Sequence, residues 1–185
     1  MEPIILILAS GQGRRFRAAG GATHKLQADL GGREVLARTL DAAQASGLAW
    51  HLERASHPGM GDALAAAVRA TAAADGWLIL PADMPLVLPA TMQQVARALE
   101  EGAQAAFPVV DGRRGHPVGF AAAQRERLMA LSGDEGARSI LGELRAAGLA
   151  REIASTDAGA LEDIDTPQDL QRAQALWRAR QALDA

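Results

Sequence analysis

Two rhythms of apolar residues alternate along this chain. Ile4-Ile5-Leu6-Ile7-Leu8 is continuously apolar and rich in β-branched side chains, and Trp77-Leu78-Ile79-Leu80 repeats the pattern. Such runs predict strands buried on both faces, as in a parallel sheet. Between and after them the spacing widens to three and four. Val35, Leu36 and Leu40 predict a helix ending near Gly47, and Ala63–Ala74 predicts another behind the turn at Gly59 and Gly61. Pro89–Glu101 reads as a helix with Met92, Val95 and Leu99 on one face. Ala49–Leu52 is a weak strand, Ala105–Val110 a firmer one and Val118–Phe120 a short one. Glu126–Leu131 and Ala137–Leu149 read as helices separated by Ser132-Gly133. Arg151–Ala154 and Leu161–Ile164 read as edge strands. Asp169–Leu183 closes the chain as a helix that turns Leu170, Ala173, Leu176 and Trp177 inward. Strands alternating with helices predict an α/β sandwich, its sheet mostly parallel and its crossovers right-handed. No internal repeat or linker divides the sequence, so a single domain over residues 1–185 is expected.

In such a sheet, ligands bind beyond the carboxyl ends of the strands. Two strands run into conspicuous sequences there: Leu8 into Ala9-Ser10-Gly11-Gln12-Gly13-Arg14-Arg15-Phe16, and Leu80 into Pro81-Ala82-Asp83-Met84-Pro85. Both are expected on the same edge. Gly11 and Gly13 allow a tight turn whose N–H groups can approach phosphate oxygens, with Arg14, Arg15 and Lys25 adding positive charge. The loop is neither a dinucleotide fingerprint, since Phe16 stands where glycine is needed, nor a P-loop, since Lys25 lies between His24 and Leu26.

Asp83, held between prolines at a strand end, either forms a turn beside a helix start or binds Mg²⁺, which takes one or two carboxylates together with substrate phosphates. In Asp163-Ile164-Asp165-Thr166-Pro167 the alternation puts Asp163 and Asp165 on one side; Asp165 either caps the helix that follows or shares a metal with Asp83 from its distant segment. Thr166-Pro167 reads as a helix start, with Asp169 as a capping acid. His116, in Gly115-His116-Pro117, either packs in the core or orients a substrate. Asp134 either starts a helix or meets a ligand, and Arg138 either pairs with an acid or does the same.

Composition narrows the chemistry. The 185 residues carry 19 basic and 22 acidic side chains, net −3, and no cysteine. Disulfides, thiolate metal sites and a cysteine nucleophile are excluded. A mildly acidic chain without a basic block does not suit a general nucleic-acid binder. The apolar run Pro3–Ala9 is too short to span a bilayer, and Glu2 replaces the positive start of a signal peptide, so a soluble cytoplasmic protein is expected. Alanine and arginine are both abundant, but Lys25 is the one lysine in the sequence.

Taken in order, the glycine loop with Lys25-Leu26, Gly59-Met60-Gly61, Pro81-Ala82-Asp83-Met84-Pro85, Gly115-His116-Pro117, Gly133–Arg138 and Asp163–Pro167 resemble the MobA-like nucleotidyltransferase family, most closely its molybdenum cofactor cytidylyltransferase branch. The resemblance spans roughly residues 4–177. It implies a Rossmann-like three-layer sandwich of the nucleotide-diphospho-sugar transferase type. It also implies Mg²⁺-dependent transfer of a nucleotidyl group from an NTP, CTP favoured, to the phosphate of a molybdopterin, with release of pyrophosphate. A molybdoenzyme or maturation protein would receive the product. Carried over, Leu8, Ala9, Gly11, Gly13, Arg15, Lys25, Gly61 and Asp83 would bind nucleotide. Arg15, Lys25 and Asp83 would act in catalysis, Asp83 and Asp165 would bind Mg²⁺, and His116 and Asp134 would lie toward the acceptor. The sequence departs from the family pattern in a longer Arg15–Lys25 loop, a shorter Gly47–Gly59 stretch, and Ala63 in place of a serine. Asp62 is then an acceptor for a base amine or a helix N-terminal acid. A nucleotide- or pterin-binding assembly protein and a sugar-phosphate nucleotidyltransferase are the alternative readings.

Overall fold

A computed structural model describes residues 2–11 and 13–183. Strands β1 (Ile4–Leu8), β2 (Trp50–Glu53), β3 (Gly76–Pro81), β4 (Ala105–Val110), β5 (Arg113–Arg114), β6 (Val118–Ala121) and β7 (Ala150–Ala154) form one sheet in the order β2-β1-β3-β6-β4-β5, with β7 also on β4. β1 pairs parallel with β2 and β3, and β4 with β7; β6 joins β3 to β4 by antiparallel pairing on both sides. β1, β2, β3, β4 and β7 therefore point one way, and only β6 and β5 run against them.

The alternation along each central strand sets the layers. Ile5, Ile7, Leu78 and Leu80 enter one apolar cluster, with residues of α2 (Val35–Ala45), α4 (Pro89–Glu100) and α7 (Pro167–Leu183). Leu6, Trp77 and Ile79 enter the other, with residues of α3 (Met60–Ala70), α5 (Arg125–Met129) and α6 (Arg138–Ala146). This is the expected three-layer α/β sandwich. Each fully buried aliphatic side chain contributes about 1.5–3 kcal/mol relative to exposure, so the continuous apolar runs decide the fold. Ala63, Ala65 and Ala67 are fully buried on α3, so the alanine bias also lets this helix pack closely.

The differences from the sequence reading lie in short elements. A five-residue helix, α1 (Arg14–Ala18), interrupts the glycine-rich stretch; its one buried side chain, Phe16, gives too little periodicity to announce it. The two exposed arginines of β5 pair with Val109 and Val110 and show no apolar alternation. Leu161–Ile164 is not an edge strand. Residues 158–161 form a helical turn capped by the Asp157 carboxylate, which accepts from Gly159 N at 3.0 Å. The same buried carboxylate accepts from Leu88 N, Thr91 Oγ1 and Arg180, joining α4 and α7 to this turn. α3 stops at Ala70 and α6 at Ala146, both short of their alanine- and leucine-containing tails. α7 begins at Pro167, the start that Thr166-Pro167 predicts, two residues before Asp169. Its Ala173 is buried, and Leu170, Leu176 and Trp177 pack against the core as anticipated.

Candidate active site

The loops after β1 and β3 run side by side because their strands are registered to the end. Leu8 faces Pro81, and Ala82 N donates to Leu8 O at 3.1 Å. Thr39 of α2 supports the second loop from below, its buried hydroxyl donating to Ala82 O at 2.8 Å. The Asp163–Asp165 segment is fastened to the same loop by Ile164, which is fully buried and whose N–H donates to Asp83 O at 3.0 Å. Its continuation is a capped helix start. Asp169 Oδ2 accepts from Thr166 N and from the Thr166 hydroxyl, and the Thr166 hydroxyl in turn accepts from Asp169 N.

These constraints bring together residues that are 140 positions apart. The Lys25 ammonium donates to Asp83 Oδ2 at 2.5 Å and to Asp165 Oδ1 at 2.6 Å. Arg15 donates to the other oxygen of Asp165 at 3.1 Å while remaining largely exposed. Burial opposes the charge on Lys25, but Asp83 and Asp165 outweigh it and hold its pKa above the usual lysine value. Burial likewise opposes ionisation of Asp165, yet Lys25 and then Arg15 hold its carboxyl below the usual range. Asp163 goes the other way: burial, with the charges of Asp83, Asp165 and Asp169, raises it.

Leu8, Arg15, Lys25, Asp83, His116, Asp134, Asp163 and Asp165 all line one cleft of about 940 Å³. That volume lies toward the upper end of the roughly 300–1,000 Å³ usual for a small-molecule site. His116 reaches the cleft through a bulge. Four residues, 115–118, stand opposite two, 107–108, between the β5 and β6 pairings with β4. The bulge is fixed by Gly115 N to Pro108 O at 2.8 Å and His116 N to Ala160 O at 2.9 Å. Enclosing protein, and then the Arg114 guanidinium, push the His116 pKa down to about 4, so its imidazole is neutral at pH 7.

Ala9, Gly11, Gly13 and Gly61 do not line this cleft. Ala9 packs against the core. Gly13 adopts the left-handed conformation (φ 60°) that starts α1 and thereby places Arg15. Gly61 and Gly59 let α3 press against the Ser132–Asp134 loop. Gly61 N donates to Gly133 O at 2.7 Å, and a Cβ on Gly59 would fall 2.2 Å from that same oxygen. Asp62, in the first turn of α3, accepts from Gly133 N at 2.9 Å and so holds the loop that carries Asp134.

A family model described as MobA-like NTP transferase domain matches residues 5–149. The chain belongs to this family. No curated protein matches it. Among solved structures it is similar to Rv0371c from Mycobacterium tuberculosis H37Rv, at 21% identity and TM-score 0.77, covering 95% of this chain and 99% of that one. Rv0371c has also been solved as a complex with manganese, at 20% identity and TM-score 0.72, covering 95% of this chain and 99% of that one. A nucleotidyl transferase from Methanothermobacter thermautotroptrophicus gives 18% identity and TM-score 0.78, covering 97% and 99%. Molybdopterin-guanine dinucleotide biosynthesis protein A from Archaeoglobus fulgidus gives 18% and 0.62, covering 95% and 99%. Among the described residues of this MobA-like chain, no helix is long and apolar enough to cross a membrane.

One residue of the site was not singled out in the sequence. His24 Nδ1 accepts from Leu26 N at 3.3 Å, and its Nε2 lies 3.0 Å from Gly11 O. His24 thus stitches the glycine loop to the turn that carries Lys25. Its only sequence signal is its position directly before the lysine.

Proposed function

We propose that this chain transfers a nucleotidyl group from an NTP, with CTP favoured, to the phosphate of an acceptor, with a molybdopterin favoured, and that Mg²⁺ assists. The observation that carries the reading is the convergence of Asp83 and Asp165 on one cation, the Lys25 ammonium, at the ends of β1 and β3. Two carboxylates around one positive charge are a donor set that fits a divalent cation completed by substrate phosphates. Among the described residues no group of three or more His, Cys, Asp or Glu side chains is assembled for a metal. Asp83 and Asp165 would hold Mg²⁺, which supplies charge neutralisation for the phosphates when bound. Rv0371c, whose structure contains manganese, shares the fold.

In this reading an acceptor phosphate oxygen forms a bond to the α-phosphorus while the bond from that phosphorus to the bridging β-phosphate oxygen breaks, and pyrophosphate leaves. The acceptor is already ionised, so the chain needs no protein nucleophile or strong base. Its work is positioning and electrostatics. Lys25 and Arg15 exchange their aspartate contacts for phosphate oxygens and neutralise the leaving group. Leu8, at the end of β1, positions the nucleotide, and the 115–118 bulge and the Asp134 loop form the acceptor side.

The test is a panel of four NTPs with Mg²⁺, offered molybdopterin or a sugar phosphate, with pyrophosphate detection. CTP with molybdopterin is expected to give the largest release, and Asp83→Asn is expected to lower it at least a hundredfold. Release with the sugar phosphate alone would reassign the acceptor. NTP binding with no release from any NTP would leave a binding protein.

A further inference from the structure

The cleft is charged differently along its length. Where β1 and β3 end, Lys25 and Arg15 are already bonded to Asp83 and Asp165. Three strands beyond β3 in the sheet, Arg113 and Arg114 of β5, with Arg138, the first residue of α6, line the same cleft. Among the described residues no ion pair joins any of these three to an acid, although the exposed Asp134 and Glu135 carboxylates also line the cleft. Burial, and then the neighbouring charges of Arg138 and Arg145, lower the pKa of Arg114, so its charged surroundings are cationic. Arg145 has its own partner in Glu152, at 2.6 Å. Ala137, before Arg138, provides no side-chain cap, so the first-turn N–H groups of α6 add positive potential of the same sign. The arginines of β5 do not hang on a free loop: they pair with Val109 and Val110, and the bulge that follows them is bonded to Pro108 and Ala160.

Three like charges on one concave wall repel one another, and an anionic ligand relieves that repulsion. We propose that Arg113, Arg114 and Arg138 form a second anion-binding subsite, which holds a non-reacting oxyanion of the acceptor while its phosphate is presented at the Lys25 end. The proposal rests on the nucleotidyl-transfer reading and narrows it: the acceptor carries an anionic group besides the phosphate that attacks. Guanidinium forks match planar and tetrahedral oxyanions by paired hydrogen bonds, as a lysine does not.

The probe is inorganic phosphate, titrated calorimetrically into the Lys25→Met protein so that the nucleotide end contributes little. One phosphate is expected to bind. Replacing Arg113, Arg114 and Arg138 together by Gln is expected to weaken it at least tenfold, and replacement by Lys by a smaller factor. CTP affinity, measured with Lys25 intact, is expected to stay within twofold in both arginine variants. Phosphate binding unchanged by the Gln set, absent before it, or lost together with CTP binding would overturn the subsite. Should the Gln set fail to fold, the Lys set decides: equal affinity for phosphate overturns the proposal. The titration needs no turnover, so a protein that releases no pyrophosphate still reports on the subsite. Conversely, an empty subsite leaves the transfer reaction standing. With an active acceptor, the Gln set should raise its KM and leave the NTP KM unchanged.

Discussion

Replacing Lys25 by Met tests the centre of the site most directly. The ammonium lies 2.5 Å from Asp83 Oδ2 and 2.6 Å from Asp165 Oδ1, so those oxygens are at most 5.1 Å apart. Without the cation, two carboxylates face each other at that separation. At an effective dielectric constant of about 20 their repulsion is about 3 kcal/mol. Asp165 is 31% exposed, and solvent screening reduces the expected loss of stability to about 2 kcal/mol at pH 7. The pH dependence carries a definite sign. In the wild type Asp165 is held below its ordinary pKa, so its stabilising effect is present at neutral pH and is lost only as pH falls through that depressed value. In the variant the pair takes up a proton above the ~3.9 of an isolated aspartate, which removes the repulsion. The stability gap between the two proteins should therefore be widest at pH 7 and close toward pH 4. Urea denaturation at a series of pH values measures it. Millimolar Mg²⁺ should stabilise the variant more than the wild type, because the two carboxylates no longer have an internal cation. A gap that is absent at pH 7, or constant with pH, would refute the electrostatic account. Equal Mg²⁺ stabilisation of both proteins would refute the shared cation point.

Lys25→Arg should lower pyrophosphate release at least tenfold, since a planar fork cannot reproduce two short bonds from one compact donor; near-normal turnover would make the solitary lysine incidental. His116 stays neutral in the folded protein down to about pH 4, whereas an unfolded histidine protonates near 6.5, so folding stability should fall by up to about 3 kcal/mol as pH drops through that window. A His116→Gln variant should lack this slope in pH-dependent denaturation. Gly59→Ala places a Cβ 2.2 Å from Gly133 O, and the forced shift should cost about 1–3 kcal/mol in thermal or urea unfolding. His24→Ala removes the link between Gly11 and Leu26 and should weaken NTP binding several-fold by calorimetry, at a stability cost of about 1 kcal/mol.

The layered architecture follows from the residue pattern alone, because runs such as Ile4–Leu8 and Trp77–Leu80 leave no polar face and must be covered on both sides. The pattern also put Asp83 at a strand end, since Asp83 follows a buried strand directly. Short elements stayed hidden. Helix α1 and strand β5 hold their form through one buried phenylalanine and a two-residue ladder, contacts that leave no period in the sequence. Leu161–Ile164 looked strand-like because its apolar residues are those of a strand, but the buried Asp157 carboxylate captures the preceding backbone and turns it instead. Distance in three dimensions was decided only by the fold. Lys25 and Asp165 are 140 positions apart and are joined because Ile164 is buried and hydrogen-bonded beside Asp83. That no ion pair joins Arg113, Arg114 or Arg138 to an acid among the described residues was equally invisible, since a sequence states how many charges a chain carries and only packing states which of them meet.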